Sequence, residues 1–216
     1  MADAGSAGGA LGSARPRLAL LIPTLVGREQ CLARLLAVLE PQVRGRADQV
    51  FIALRKDDGC EPTGSKRNAL LDEARSRGAT HVAFIDDDDL VSPRYVSLHL
   101  PGVRDMYDCN SLRGLRYIDG TLDRPFEHSL RHAHWREDEH CYYRNPNHLN
   151  VLRLDRIGDI RFPPLFRTED RAFSEALARA GLLVTEYVVE EPTYYYECRS
   201  QPTRWKFWRR RPRDPR

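Results

Sequence analysis

Four consecutive carboxylates, Asp86-Asp87-Asp88-Asp89, directly follow the apolar run Val82-Ala83-Phe84-Ile85. Four like charges in a row repel one another. A solvated acidic turn would let them spread apart. The carboxyl end of a buried strand gives them less room, and it is where open α/β sheets place ligands. A bound divalent cation is the simplest way to stabilise that much negative charge. Carboxylate oxygens suit Mg²⁺ or Mn²⁺, which keep positions open for substrate phosphates. The stretch therefore points to a metal–diphosphate site. Two interleaved Asp-x-Asp pairs are available, Asp86 with Asp88 and Asp87 with Asp89.

Other side chains could join that chemistry. In Gly64-Ser65-Lys66-Arg67-Asn68, the two cations can bind a diphosphate or a base edge, and Asn68 can hydrogen-bond a base or ribose. The competing reading is an ordinary charged helix start. Glu169 and Asp170 are either first-turn partners of a helix dipole or a general base on an acceptor hydroxyl. His132, His134, His140 and His148 form a loose zone. A histidine could complete a metal shell, but solvated or substrate-lining roles suit these four better. There is no GxxxxGK[ST] loop, and no GxGxxG follows a strand, so phosphate-loop and dinucleotide-binding sites are not indicated.

These residues need elements to position them. Arg17 to Pro23 reads as a buried strand. Leu32, Leu35, Leu36 and Leu39 give helical spacing from Arg28 to Glu40, with Pro41 as a stop. Gln49 to Leu54 is a second strand. Ser65 is placed to cap the next helix and Gly78 to close it. With the strand before the acidic run, the order is β-α-β-α-β. That predicts an α/β fold with a mostly parallel central sheet flanked by helices. Pro23-Thr24, Asp57-Asp58 and the acidic run would then end at one crevice. Further along, Ser92-Pro93 opens a helix to about Leu98, and Leu115 to Ile118 enters an Asp119-Gly120 turn. Phe162 to Phe166 reads as extended. Thr168 caps a helix to about Ala180, ended by Gly181, and strands are expected over Leu183–Val189 and Glu191–Cys198.

The chain has 216 residues, 41% of them hydrophobic, which suits one globular domain over 17–198. Residues 1–16 are Gly/Ala/Ser-rich and read as a flexible leader rather than a secretory signal. Five separated cysteines with no CxxC pair indicate neither a zinc site nor a disulfide framework, and favour a cytoplasmic setting. No apolar run is long enough to span a membrane. The net charge of +3 is unevenly spread. Residues 199–216 carry +7 while the rest of the chain sums to −4, and the tail interleaves Trp205, Phe207 and Trp208, so an anionic partner such as nucleic acid, a membrane surface or an acidic glycan is expected for it.

Three stretches together resemble the GT-A glycosyltransferases of family 2, especially small bacteriophage and bacterial members. They are Leu21-Ile22-Pro23-Thr24, Gly64 to Leu71 and Phe84 to Asp89; Asn145 to Leu149 and Thr168-Glu169-Asp170 match the acceptor side. The resemblance covers about residues 17–195. It implies metal-dependent, inverting transfer of a sugar from a nucleotide-sugar donor, a UDP-sugar being favoured, to a hydroxyl acceptor. That acceptor would be a surface glycan, a lipid-linked sugar or a hydroxymethylated DNA base. Pro23, Thr24 and Asp57 or Asp58 would meet the base and ribose, and Lys66, Arg67 and Asn68 the base or phosphates. Asp86 and Asp87 would also lie against the donor. Asp88 would hold Mn²⁺ or Mg²⁺ with Asp86, Asp170 beside Glu169 would act as base, and Asn147 and His148 would face the acceptor. The second strand departs from the family pattern in ending Leu54-Arg55-Lys56-Asp57-Asp58. The competing reading, from a different class, is a non-catalytic GT-A-like module that delivers the basic tail to nucleic acid or an anionic membrane.

Overall fold

The computed structural model describes residues 15–198; the basic tail and most of the leader lie outside these residues. The first half alternates strand and helix: β1 (Leu18–Leu25), α1 (Glu29–Val43), β2 (Val50–Asp57), α2 (Thr63–Ser76) and β3 (His81–Phe84). β1 lies between β2 and β3 and pairs with both in parallel. Its side chains alternate between two cores. Leu18, Leu20 and Ile22 pack in one core with Leu35 and Leu39 of α1, while Ala19 and Leu21 pack in another with Leu70, Leu71 and Ala74 of α2. Helices thus cover both faces of the sheet, and this is why β1 is an unbroken apolar run.

After the acidic run come β4 (Leu90–Val91) and α3 (Tyr95–Arg104). Three short strands, β5 (Cys109–Asn110), β10 (Leu152–Arg153) and β11 (Glu186–Tyr187), extend the first sheet to the order β11-β5-β10-β3-β1-β2. β10 runs antiparallel to both its neighbours. A second sheet has the order β4-β12-β6-β7-β9-β8. It is built from β6 (Leu112–Ile118), β7 (Thr121–His128), β8 (Arg136–Glu137), β9 (Tyr142–Arg144) and β12 (Pro192–Cys198), with β4 at its edge. The β6–β7 hairpin closes at Asp119-Gly120, both with positive φ (50° and 78°), the conformation that a tight two-residue turn requires. α4 (Leu154–Ile157) and α5 (Glu169–Ala180) complete the chain. No helix among the described residues is long and apolar enough to cross a membrane.

Several element ends differ from expectation. α1 runs through Pro41 to Val43. Its last turn is held from outside: the Gln42 side chain donates to Ser92 O at 3.0 Å and accepts from Val96 N at 2.9 Å. Ser65 lies inside α2, and Pro62 takes the cap position. α3 begins at Tyr95 and continues past Leu98, through Pro101, to Arg104. Thr168 precedes α5 as expected but adopts a left-handed conformation (φ 67°), and its hydroxyl donates to Arg167 O instead of capping. The strand expected over Leu183–Val189 shrinks to Glu186–Tyr187, because only those residues pair with β5.

Candidate functional site

β1, β2 and β3 end around a crevice of about 410 Å³, lined by Pro23, Thr24, Arg28, Lys66, Arg67 and Asp86 to Asp88, among others. The four carboxylates alternate within it. Asp87 and Asp89 are buried, at 2% and 1% exposed. Asp87 accepts from Thr24 Oγ1 and from Arg28 Nη1, both at 2.6 Å. Asp89 accepts from the Tyr194 hydroxyl at 2.7 Å and from Glu197 N at 2.9 Å. Asp86 and Asp88 turn outward, with side chains 28% and 46% exposed. Burial opposes the charge on Asp86, yet Arg67 at 2.9 Å, with His148 behind it, holds the carboxyl below the ordinary carboxylate range. Burial raises the pKa of Asp88; Arg28 at 3.2 Å opposes this, and the neighbouring Asp86 and Asp87 add to it.

Two buried cations come from the first turns of α2. Lys66 Nζ donates to Thr24 O at 3.3 Å and to the Asp57 carboxylate. Arg67 binds Asp86 and reaches Glu169 Oε1 at 3.4 Å, with its guanidinium 5.1 Å from the centre of the Phe84 ring. Its Nη1 has no hydrogen-bond partner among the described residues. Burial works against the Arg67 charge, but Asp86 and Glu169 outweigh it and raise the pKa. Asn68 ties α2 to the chain at Phe162. Its amide donates to Phe162 O at 2.9 Å and accepts from Phe162 N at 3.0 Å, which pins the segment leading to Phe166 and Arg167 on the crevice rim. Gly64 allows that approach: a Cβ there would lie 1.8 Å from Pro163 O.

The end of β2 is held by its own turn. Asp57 accepts from Gly59 N and Glu61 N, each at 3.0 Å, as well as from Lys66. Asp58 is exposed and accepts from Cys60 N at 3.1 Å. Both shape the turn after β2, and Gly59 and Glu61 are the residues of that turn that line the crevice.

At the start of α5, Glu169 is buried on Arg67 and Asp170 is half-buried beside it. Asn147 makes a turn, accepting from Leu149 N at 2.9 Å. That turn sets His148 behind Asp86, 3.9 Å from Oδ2, with neither ring nitrogen hydrogen-bonded among the described residues. The other histidines of the zone lie elsewhere: His132 pairs with Glu127 at 2.8 Å, His134 stands beside Trp135, and His140 is exposed. Sequence reading missed Arg28, Arg167 and Tyr194. Arg28 stood in plain view just after a strand-end loop, whereas nothing in the Tyr194-Tyr195-Tyr196 run marks one tyrosine as a partner of the acidic run.

Among the described residues, no group of three His, Cys, Asp or Glu is arranged to hold a metal. The outward pair Asp86 and Asp88 still suits an ion of the Mg²⁺ type, which binds through one or two carboxylates and is completed by substrate phosphates.

No family model and no curated protein matches this chain. Solved structures match its fold. S. aureus TarS 1–349 is 14% identical with a TM-score of 0.55, covering 84% of this chain and 60% of that one. The same fragment in complex with UDP-GlcNAc is 15% identical with a TM-score of 0.55, covering 86% and 60%. S. aureus TarS itself is 14% identical with a TM-score of 0.54, covering 84% and 36%. TarS is a glycosyltransferase of GT-A type. This chain has that fold. It spans about 60% of the TarS fragment's length.

Proposed function

We propose that the protein is a metal-dependent glycosyltransferase that moves a sugar from a nucleotide-sugar donor to a hydroxyl acceptor with inversion. One observation carries this reading: the outward carboxylates Asp86 and Asp88 lie beside Arg67 and Arg28 at the ends of parallel strands. UDP is the favoured nucleotide, because TarS structures of the same fold are complexes with UDP-GlcNAc and with UDP. Asp86 and Asp88 would hold Mn²⁺ or Mg²⁺. When bound, such an ion supplies positive charge against the leaving diphosphate.

The chain's own residues do the rest. Arg28 and Arg67 orient the diphosphate, and Thr24 and Pro23 border the nucleoside. Asp170, beside Glu169, takes the proton from the acceptor hydroxyl. The acceptor oxygen bonds to the anomeric carbon as the bond from that carbon to the diphosphate oxygen breaks, and the nucleoside diphosphate leaves.

The test is release of free nucleotide from UDP-, GDP- and dTDP-sugars with and without Mn²⁺. Metal-dependent release from one donor supports the reading. If calorimetry detects no donor binding and no nucleotide is released, the reading falls and the non-catalytic module takes its place.

A further inference from the structure

We propose that Tyr194 is a positioning residue whose buried hydroxyl sets which two of the four carboxylates stand exposed at the crevice. The inference rests on the metal reading above and adds to it a residue from the second sheet.

Tyr194 is fully buried, and its ring lies against Phe126, 6.3 Å between centres. Among the described residues its hydroxyl has two hydrogen-bond partners, both in the acidic run. It accepts from Asp86 N at 3.2 Å and donates to Asp89 Oδ2 at 2.7 Å. One oxygen atom therefore ties the first residue of the run to the last. The residue is also fixed in place. β12 pairs with β4 directly after the run, with Tyr194 opposite Val91. On the other side, a Cβ at Gly114 would lie 2.4 Å from Tyr194 O, so β6 leaves just enough room for this strand.

A run that alternates inward and outward must hold both inward residues. Asp87 is held by Thr24 and by the cation Arg28. Asp89 is held by hydrogen bonds from Tyr194 and Glu197 N and has no cationic partner among the described residues. Without the hydroxyl, a dry carboxylate keeps one donor, and Asp86 N loses its acceptor. Buried polar groups left unpaired are costly. The run relieves that cost by turning Asp89 toward water, and this carries Asp88 and Asp86 away from their shared side of the crevice.

The test is a Mn²⁺ titration of the full chain by electron paramagnetic resonance, comparing wild type with Tyr194→Phe. Circular dichroism and thermal unfolding check the fold. Tyr194→Phe keeps the ring and removes only the hydroxyl. The expected result is a folded variant whose Mn²⁺ affinity falls about tenfold. The metal concentration needed for nucleotide release rises in step, while kcat at saturating metal changes less. If Tyr194→Phe fails to fold, Asp89→Asn approaches the same bond from its other end, and a loss of affinity in the same direction is expected. Wild-type Mn²⁺ affinity in a folded variant overturns the inference alone, since a purely structural role lowers only the unfolding midpoint. No Mn²⁺ binding by the wild type, either alone or with UDP present, overturns the metal reading itself, and this inference with it.

Discussion

Arg67 and Glu169 stand 102 positions apart in the chain and meet at 3.4 Å. The same guanidinium holds Asp86 at 2.9 Å. One buried side chain thus joins α2, the end of β3 and the start of α5 into a single crevice floor. It also puts Asp86, proposed for the metal, and Glu169, the neighbour of the proposed base Asp170, on a common cation.

Removing that cation should be costly. Arg67→Ala leaves Glu169 buried without its partner and frees Asp86. Breaking a buried ion pair from one side costs about 3–5 kcal/mol. Arg67→Lys keeps the charge but loses the planar fork, so its cost should be smaller. Urea titration measures both, and a wild-type midpoint in Arg67→Ala would show that the pairing contributes nothing.

Gly64→Ala should be destabilising although it adds only a methyl group. The new Cβ would stand 1.8 Å from Pro163 O. Overpacking of this kind costs about 1–3 kcal/mol. The displaced segment carries Phe166 and Arg167, so donor affinity should fall too. Denaturation and calorimetric titration read the two effects separately, and a neutral substitution would mean that the segment moves freely.

Asp170→Asn and Glu169→Gln should separate chemistry from architecture. Asp170 stands close enough to Arg67 to act on its charge, and as the proposed base its replacement in Asp170→Asn should lower turnover about 10²–10⁴-fold with donor binding retained. Glu169→Gln weakens the contact with Arg67 and should lower stability as well as turnover. Unchanged turnover in Asp170→Asn would move the base elsewhere.

Acid should weaken the fold through two buried histidines. Burial lowers the pKa of His99 and of His128 to about 3, with Arg144 adding to the effect at His128. Both folded values lie below the unfolded one, so the unfolded chain binds more protons between them. Their contribution to stability is present in full above about pH 6.5 and is lost as pH falls toward about 3. Urea midpoints measured across this range should decline with acid, and His99→Gln should flatten the slope. A slope identical to wild type would contradict the assignment.

The first half of the fold was legible because each element carries its own period. Leu32, Leu35, Leu36 and Leu39 mark α1, and continuous apolar runs mark β1 and β3. The second sheet was not. Its strands include two-residue and three-residue pieces, and β12 pairs in parallel with β6 across a gap of about 80 positions. The acidic run pointed to a candidate site, but its register could not be read locally. Which pair turns outward depends on Thr24, Arg28 and Tyr194, and Tyr194 lies 105 positions from the Asp89 it holds. The partners that Asn68 and Asp57 take within the fold were hidden for the same reason. Their partners, Phe162 and the turn after β2, are settled by tertiary packing and not by residue type.

The most direct test of the central claim is calorimetric titration of UDP, with and without Mn²⁺, into wild type and Asp88→Ala. The Asp88 side chain is 46% exposed, so the substitution should leave the fold intact. The expected result is Mn²⁺-dependent binding by wild type that disappears in Asp88→Ala. Binding that ignores both Mn²⁺ and Asp88, or no binding by wild type at all, would contradict a metal–diphosphate site at the end of β3.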